Sequence, residues 1–299
     1  MYPAAYRYLR VSSVAEAVDT LAEVGSEGRV LAGGASLIPW MKYRQVSPAV
    51  LVDVGRLGEL TGTHRVNGAL AIGATTRHAD VAADDAAVSS LPLAGDVAAG
   101  IGDQQVRNMG TVGGGLAAVE PTGDWGPALL AVNGSVTAMS RQGQRDIPAT
   151  DLFAAPLTPT LRSDELLTEV RLPVGRGRTG SAHVKFHLRA VTALGSCAVA
   201  LSLDDEGRMT DVGVGVGGLT PIPVRVLAAT AVLQGQPLSV EIAEDAAAAV
   251  MDALDTHADS KTSAAHRRRV AGSLFTRALT LAYDRAAGAA TPTPAGGTS

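Results

Sequence analysis

The stretch RVLAGGASLIPW, residues 29–40, places a run of small residues between a short apolar segment and a helical one. RVLA at 29–32 predicts a strand, LIPWMKYR at 37–44 a helix, and VLVDV at 50–54 a second strand. Glycine loses much backbone entropy on folding, so AGGAS at 32–36 indicates a tight bend or a large ligand close to the main chain. These residues predict a small α/β unit whose glycine loop lies at a strand-to-helix junction.

A second run of small residues, TVGGG at 111–115, resembles the first. Each run combines glycines with one hydroxyl side chain, Ser36 or Thr111, and contains no bulky group. Such loops expose consecutive backbone N–H groups, which can bind an anion without a lysine. Both runs lie in one predicted domain, so they could hold one large phosphate-bearing ligand, and a nucleotide pyrophosphate would suit them. The residues alone leave two tight turns as an equal alternative.

The composition of the 299-residue chain is that of a globular protein with one large domain or two ordinary ones. Apolar residues make up 46% and aromatic residues only 3%, so small aliphatic side chains must fill the core. The net charge of −4 argues against a nucleic-acid partner, which would favour a basic face.

Two features predict a cytoplasmic protein that does not span a membrane. The residues before the first predicted helix lack the apolar run of a signal peptide. The longest apolar stretch, ALGSCAVALSL at 193–203, is shorter than the ~20 residues that span a bilayer. A peripheral position at the inner face of the membrane stays open.

The titratable side chains predict neither a metal site nor a catalytic group. A single cysteine, Cys197, excludes an internal disulfide and an iron–sulfur site made by this chain alone, and its apolar surroundings favour a core position. His183 and His187 share one face of a predicted strand, but no carboxylate or third histidine is spaced to complete a metal site. A surface or packing role is therefore expected for both. No Ser/His/Asp constellation can be assembled.

Two matches to the dinucleotide pattern GxGxxG are rejected. They begin at Gly175 and Gly213, and neither is followed by the predicted helix that the pattern requires at the pyrophosphate. The chain also contains no Gly-Lys-Ser or Gly-Lys-Thr triplet, which excludes a P-loop.

The remaining signals divide the chain into two domains and a tail. Ser13 and Glu16 predict a capping box before a helix that ends at Gly25, and Asn67-Gly68 predicts a hairpin. Further predicted helices lie near 76–88, 91–101 and 124–132, and further strands at 135–140 and 165–173. Three strands follow at 181–189, 196–203 and 208–216, and helices fill 222–286. We predict a domain at 1–177 (subdomains 1–57 and 58–177), a second at 178–286 and a disordered tail at 287–299.

Three segments resemble the FAD-binding medium subunit of molybdenum hydroxylases, the family of aerobic carbon monoxide dehydrogenase, xanthine dehydrogenase and N-heterocycle dehydrogenases. They are LAGGASLIPWMKYRQVSPAVLVDVGRLGEL, IGDQQVRNMGTVGGGLAAVEPTGDWGPALLAV and TSAAHRRRVAGSLFTRAL. The resemblance implies an α+β fold in which FAD lies between two subdomains of the vanillyl-alcohol-oxidase (PCMH) type. A small C-terminal domain with a three-stranded antiparallel sheet and helices would follow.

The resemblance also implies the cofactor-binding residues. Two loops would wrap the FAD pyrophosphate and nearby ribose: Ala32, Gly33, Gly34, Ala35 and Ser36, and Thr111, Val112, Gly113, Gly114 and Gly115. Ile101 would lie against the cofactor, Asp124 would contact its nucleotide part, and Leu166 and Lys185 would lie near the flavin ring. A cation at Lys185 would stabilise the anionic reduced flavin.

Alternatives and departures accompany these assignments. Asp124 occupies a predicted helix N-cap position, and Lys185 alone would be taken for a solvated strand residue. Many relatives carry Gln or His at Ala35 and an aromatic residue at Thr192, so one side-chain contact and the packing of the ring are in doubt. The chain lacks the cysteine-rich insertion of some relatives, which implies that it carries flavin only.

The implied function is that of an electron-transfer subunit in a heterotrimeric molybdenum hydroxylase. A small partner subunit would hold two [2Fe–2S] clusters, a large one would hold the molybdenum–pterin cofactor, and two trimers would form a heterohexamer. No catalytic side chain is assigned to this chain. Two alternatives stay open: a self-sufficient flavoenzyme on the same fold, and a scaffold subunit whose nucleotide-binding loops are degenerate.

Overall fold

Three main sheets and one small sheet are formed by residues 2–189, 192–259 and 262–288, the part that this computed structural model describes. The strands are β1 (Arg7–Arg10), β2 (Gly28–Leu31), β3 (Val50–Asp53), β4 (Thr63–Val66), β5 (Ala69–Gly73), β6 (Ser135–Ser140), β7 (Gly143–Pro148), β8 (Phe153–Ala155), β9 (Thr158–Pro159), β10 (Leu166–Pro173), β11 (Arg178–Arg189), β12 (Thr192–Leu203), β13 (Met209–Gly217) and β14 (Val224–Arg225).

The α-helices follow the same order. They are α1 (Val14–Val24), α2 (Leu37–Lys42), α3 (His78–Ala83), α4 (Asp85–Ser90), α5 (Pro92–Gly100), α6 (Gln104–Met109), α7 (Val112–Ala118), α8 (Trp125–Ala131), α9 (Ala149–Leu152), α10 (Leu227–Leu233), α11 (Val240–Ala253) and α12 (Ala264–Ala287). Among the described residues, no helix is both long and apolar enough to cross a membrane.

The N-terminal subdomain is a parallel three-stranded sheet of order β1-β3-β2. The Ser13 hydroxyl caps α1 by accepting the N–H of Glu16, as the capping-box pattern predicts. Buried residues of α1, such as Ala17 and Leu21, join a core with β3. The predicted order of strand, glycine loop and helix at 29–44 is confirmed, and the loop leaves β2 at the carboxyl edge of the sheet.

The middle subdomain is an antiparallel five-stranded sheet of order β4-β5-β10-β6-β7. The predicted hairpin is confirmed, with Asn67 and Gly68 at φ 49° and 78° between β4 and β5. The helical stretch predicted near 76–88 consists of two helices, α3 and α4, because Asp84 is extended and its carboxylate caps α4. The second glycine run, which we continue to call the second loop, differs from the prediction because residues 112–115 form the first turn of α7.

The C-terminal domain is an antiparallel sheet of order β11-β12-β13-β14. Its three long strands are those predicted, and the two-residue β14 adds a fourth that the prediction missed, too short for an alternating pattern. α12 covers one face of β11 and β12, and α8 packs on β13 from the middle subdomain. The predicted tail at 287–299 starts too early, because Ala287 ends α12 and Gly288 caps it, and its residues from 289 onward lie outside the described part of the chain.

The rejected GxGxxG patterns are explained by close packing of helices on strands. A side chain at Gly213 would overlap the carbonyl of Ala131, and one at Gly215 would overlap the carbonyl of Pro127, both on α8. At Gly180, which ends the first pattern, a Cβ would overlap the backbone of α12. These glycines let two helices approach the C-terminal sheet closely, and no helix starts after either pattern.

Candidate functional site

The first loop, residues 32–36, leaves β2 where the parallel strands end, which is where open α/β sheets bind ligands. Gly34 has φ +73°, a left-handed conformation that favours glycine. Among the described hydrogen bonds, none uses the N–H of any residue from 33 to 36 as a donor. The loop therefore presents four adjacent donors, as the anion-nest interpretation requires.

The second loop, residues 111–115, contradicts that interpretation, because the amides of residues 112–115 are already bonded within the chain. Val112 N–H donates to Thr76 O at 3.0 Å, and Gly113 N–H donates to Ala74 O at 2.9 Å. The Thr111 hydroxyl accepts the N–H of Gly114 at 3.2 Å, as an N-cap of α7. Gly115 N–H donates to Thr111 O at 2.9 Å. The prediction of free amides holds only for the first loop.

The first loop contacts the residues immediately before the second loop, although about 75 residues separate the two. A Cβ at Gly33 would overlap the carbonyl oxygen of Met109 and lie 3.0 Å from the Cα of Gly110, which immediately precedes the second loop. Gly113 packs against Ala74, the residue that follows β5, since a Cβ at Gly113 would lie 2.6 Å from the Cβ of Ala74. Glycine at 33 therefore lets the N-terminal and middle subdomains meet beside the second loop, and glycine at 113 packs that loop within the middle subdomain.

The side chains of His78 and Trp125 pack against the second loop. Trp125 Nε1–H donates to His78 Nδ1 at 3.2 Å, and the two buried rings stack with centroids 6.2 Å apart. Cβ positions at Gly110 and Gly115 would lie 2.9 Å and 3.9 Å from the imidazole. Burial lowers the pKa of His78 to about 4, so the ring is neutral at pH 7 and its Nε2 carries the proton.

Asp124, next in the chain to Trp125, forms a buried trio with two residues of β11. Its Oδ2 lies 2.6 Å from Lys185 Nζ, and its Oδ1 lies 3.6 Å from His183 Nε2. Although Asp124 stands at the N-cap position of α8, its side chain makes no capping bond. The predicted N-cap position is therefore confirmed, but Asp124 does not cap α8 through its side chain. Lys185 is not a solvated strand residue, since only 12% of its side chain is exposed.

The environment of the trio shifts two of its pKa values. Burial raises the pKa of Asp124 to about 6, although the nearby Lys185 ammonium opposes the shift. Burial, with a smaller contribution from Lys185, lowers the pKa of His183 to about 3. At neutral pH the trio therefore carries a carboxylate, an ammonium and a neutral imidazole, with a net charge near zero.

Comparison with known proteins identifies the family. Residues 4–175 match the model for the FAD-binding domain in molybdopterin dehydrogenase. Residues 189–282 match the model for the CO dehydrogenase flavoprotein C-terminal domain. The chain belongs to this flavoprotein family. FAD is therefore its cofactor, and the chain is a component of an oxidoreductase.

Individual relatives of this flavoprotein match over nearly their whole length. The glyceraldehyde dehydrogenase medium chain of Sulfolobus acidocaldarius is 34% identical, over 93% of this chain and 99% of the relative. The nicotine 6-hydroxylase medium subunit of Paenarthrobacter nicotinovorans is 35% identical, over 94% and 98%. A chain of the carbon monoxide dehydrogenase of Hydrogenophaga pseudoflava superposes with a TM-score of 0.91 at 32% identity, over 95% and 99%.

The residues of this flavoprotein fit FAD on three observations. Unbonded amides in the first loop suit a diphosphate, and Gly33 lets the backbones of the two subdomains approach closely beside the second loop. Asp124 Oδ1 is a buried acceptor with no hydrogen-bond partner among the described residues, as expected of a group that awaits a ligand.

The other predicted site residues are less directly placed. Ile101 is partly buried against the middle core, and its carbonyl accepts from Arg107 at 3.1 Å. Leu166 is 2% exposed and packs in the core of the N-terminal subdomain, so no described contact joins it to the loops. Ala35 is exposed in the first loop, and the side chain of Thr192 lies outside the described part of the structure.

Two residues escaped the sequence analysis for the same reason. His78 and His183 meet partners that lie 47 and 59 residues away, so no local spacing reveals them. The sequence shows no carboxylate spaced near His183, yet folding brings Asp124 Oδ1 to within 3.6 Å of its Nε2. Cys197 is completely buried, as predicted for a core residue.

Proposed function

We propose that this chain is the medium, FAD-carrying subunit of a three-subunit molybdenum hydroxylase. It accepts electrons from [2Fe–2S] clusters of a small subunit and passes them to an external acceptor, while a large subunit holds the molybdenum–pterin cofactor. Two such trimers form a dimer in the cytoplasm.

One observation carries the proposal: the first loop, with four unbonded amides, touches the residues immediately before the second loop across two subdomains. Relatives named medium chain or medium subunit match this chain almost end to end. Their names cover glyceraldehyde, nicotine and carbon monoxide, which is expected if substrate contacts lie on a different subunit.

Different site residues contact different parts of FAD. Residues 33–36 donate their N–H groups to the FAD pyrophosphate, and the second loop contributes a surface free of side chains at Gly114 and Gly115. The Asp124 carboxylate contacts the nucleotide part of the cofactor, and Lys185 directs its ammonium toward the flavin with its charge largely balanced. Ile101 and Leu166 remain predicted positions near the ring. Bound FAD supplies two-electron and one-electron transfer, which these side chains orient and tune rather than perform.

A matched pair of variants tests the first loop. Ala35 is exposed, so neither a glutamate nor a glutamine there should disturb the fold. A carboxylate beside the diphosphate should repel it, and Ala35→Glu should weaken FAD binding by about tenfold or more. Ala35→Gln has the same shape without the charge and should bind FAD like the parent, as measured by flavin fluorescence quenching. Equal affinities for the two variants would refute the placement of the pyrophosphate.

Electron transfer separates the proposal from its alternatives. The purified full chain should be yellow with one FAD, and reduced small subunit should bleach it, whereas organic substrates should not. Bleaching by a substrate in the absence of any partner would instead indicate a self-sufficient flavoenzyme. A protein that stays colourless after refolding with FAD would indicate a scaffold subunit.

A further inference from the structure

Two buried polar atoms face each other without a proton donor between them. Asp124 Oδ1 and His183 Nε2 are 3.6 Å apart, and neither makes a hydrogen bond within the described part of the chain. Only 4% of the Asp124 side chain and 2% of the His183 side chain are exposed, so bulk water does not satisfy these atoms. Buried polar atoms are normally paired, so this unpaired couple requires an explanation.

The separation indicates that His183 Nε2 is an acceptor. An N–H that pointed at the carboxylate would form a charge-assisted hydrogen bond, for which distances of about 2.7–2.9 Å are usual. The observed 3.6 Å exceeds that range and is the separation expected if both atoms present lone pairs to each other. One added proton would convert the repulsion into an O–H···N hydrogen bond and satisfy both atoms at once.

The second carboxylate oxygen connects this proton to a cation. Asp124 Oδ2 lies 2.6 Å from Lys185 Nζ, so the ionised carboxylate balances the ammonium. Protonated Asp124 would leave the trio with a charge of about +1. Trp125, which follows Asp124 in the chain, contacts the second loop, because a Cβ at Gly115 would lie 3.4 Å from Trp125 Cδ1. Under the proposed function, a change of charge on the trio acts at the cofactor site.

The charged and titratable groups around the trio do not supply the missing proton. On β11, His187 follows Lys185, and the pKa of His187 is lowered by burial and by the Lys185 charge. From α5 and α12, the Asp96–Arg285 ion pair approaches, and Asp96 accepts the backbone N–H of His183 at 3.1 Å. Beyond Trp125, His78 is neutral, with its pKa lowered to about 4 by burial.

We propose that Asp124 and His183 share one titratable proton, and that this proton sets the charge that Lys185 presents to the flavin. In the step, an O–H bond forms on Asp124 Oδ1 with a proton from solvent, and the new hydroxyl donates to His183 Nε2. No electron moves within the trio. Electrons from the partner clusters bring negative charge to the site, and this charge favours proton uptake by Asp124. His183 is a positioning residue, because it accepts the hydrogen bond of the protonated Asp124. The link to the flavin rests on the proposed function, whereas the shared proton does not.

Burial supports the assignment of the proton to the carboxylate. The pKa of Asp124 is raised to about 6, while that of His183 is lowered to about 3, so added acid protonates Asp124 first.

The first experiment needs no flavin. In the full chain labelled at aspartate carboxyl carbons, the resonance lost in Asp124→Asn identifies Asp124, and its chemical shift is followed from pH 4.5 to 8. We expect the titration midpoint of Asp124 to correspond to a proton affinity at least tenfold higher than that of an ordinary aspartate. In His183→Phe, which keeps the ring volume without Nε2, the midpoint should fall. Lys185→Met should raise it and provides a second test if His183→Phe does not fold. An Asp124 carboxylate that stays ionised at pH 4.5, or is indifferent to both variants, overturns the proposal.

The second experiment uses the FAD-bound chain. The midpoint potential of the flavin is measured by titration with dithionite from pH 5.5 to 8.5. The parent should bind more protons per electron pair than Asp124→Asn, and the variant should have the higher potential at pH 8 because Lys185 is unbalanced. Identical pH dependences would refute the coupling. A chain that holds no FAD would count against the proposed function, while the flavin-free titration would still decide on the proton.

Discussion

Arg285, near the end of α12, forms a two-point ion pair with Asp96 of α5. Nη1 lies 2.6 Å from Oδ2, and Nη2 lies 3.0 Å from Oδ1. Arg285 Nη1 also donates to the carbonyl of Ser181 at 2.6 Å, and Asp96 Oδ2 accepts the N–H of His183 at 3.1 Å. The pair thus joins the two domains and fixes the part of β11 that carries Lys185.

Loss of this ion pair should destabilise the whole chain. Arg285→Ala leaves a partly buried carboxylate without its main partner, and the free energy of unfolding should fall by about 2 kcal/mol. Arg141→Ala is the matched control, because Arg141 pairs with Asp19 at the surface and such pairs contribute about 0–1 kcal/mol. Urea unfolding of both variants measures the difference. Equal losses in the free energy of unfolding would mean that the interdomain ion pair stabilises the chain no more than a surface pair does.

Contact between the two loops should be sensitive to a single methyl group. Gly33→Ala would push a Cβ into the Met109 carbonyl, so the loops must separate. We expect a loss of about 1–3 kcal/mol in stability and weaker FAD binding in the same variant. Gly100→Ala is the control, since nothing lies within 4 Å of its Cβ position at the end of α5. Flavin fluorescence and thermal unfolding report both effects, and normal FAD affinity in Gly33→Ala would contradict the geometry.

Gly215 should behave as a packing glycine rather than as part of a dinucleotide site. In Gly215→Ala the added Cβ overlaps the Pro127 carbonyl and forces α8 away from β13. The melting temperature should therefore fall, while the folded fraction still binds one FAD per chain. Gly58→Ala, at an open position, should leave the melting temperature nearly unchanged. Selective loss of FAD from a stable Gly215→Ala protein would revive the rejected GxGxxG interpretation.

The buried imidazole of His78 predicts the direction of a pH dependence. Its pKa is lowered from 6.5 to about 4 by burial, so between these values the unfolded chain binds more protons. Stability from this group is complete above pH 6.5 and is lost as the pH falls toward 4, by about 3 kcal/mol in total. His78→Asn keeps an acceptor for the Trp125 N–H but cannot titrate, so its stability should fall less with acid.

Urea unfolding at pH 7.5 and pH 4.5 compares the parent with His78→Asn. Asp124 contributes with the opposite sign in part of this range, because its pKa is raised, but it does so in both proteins. The difference between their pH slopes therefore isolates His78. Parallel slopes would mean that the imidazole titrates normally in the folded chain.

Local patterns in the chain determined the secondary elements and the first loop. The capping box at Ser13, the Asn67-Gly68 turn and the strand, glycine loop and helix at 29–44 depend on neighbours within a few residues, which the sequence displays directly. Two elements differ from the prediction for local reasons. The start of α4 depends on the cap that the Asp84 side chain provides, and the first turn of α7 contains the glycines at 113–115, which have low helix propensity.

Tertiary structure alone decided which amides are free and which charged groups meet. The second loop resembles the first in composition, yet hydrogen bonds to Ala74 and Thr76 occupy its first two amides. Asp124 and β11 are about sixty residues apart, and only the packing of α8 on the C-terminal sheet places the carboxylate between Lys185 and His183. Sequence spacing encodes contacts within a turn or a strand, whereas these contacts depend on how whole elements pack. That packing requires the glycines at 33, 113, 213 and 215, where a neighbouring backbone takes the place of a side chain.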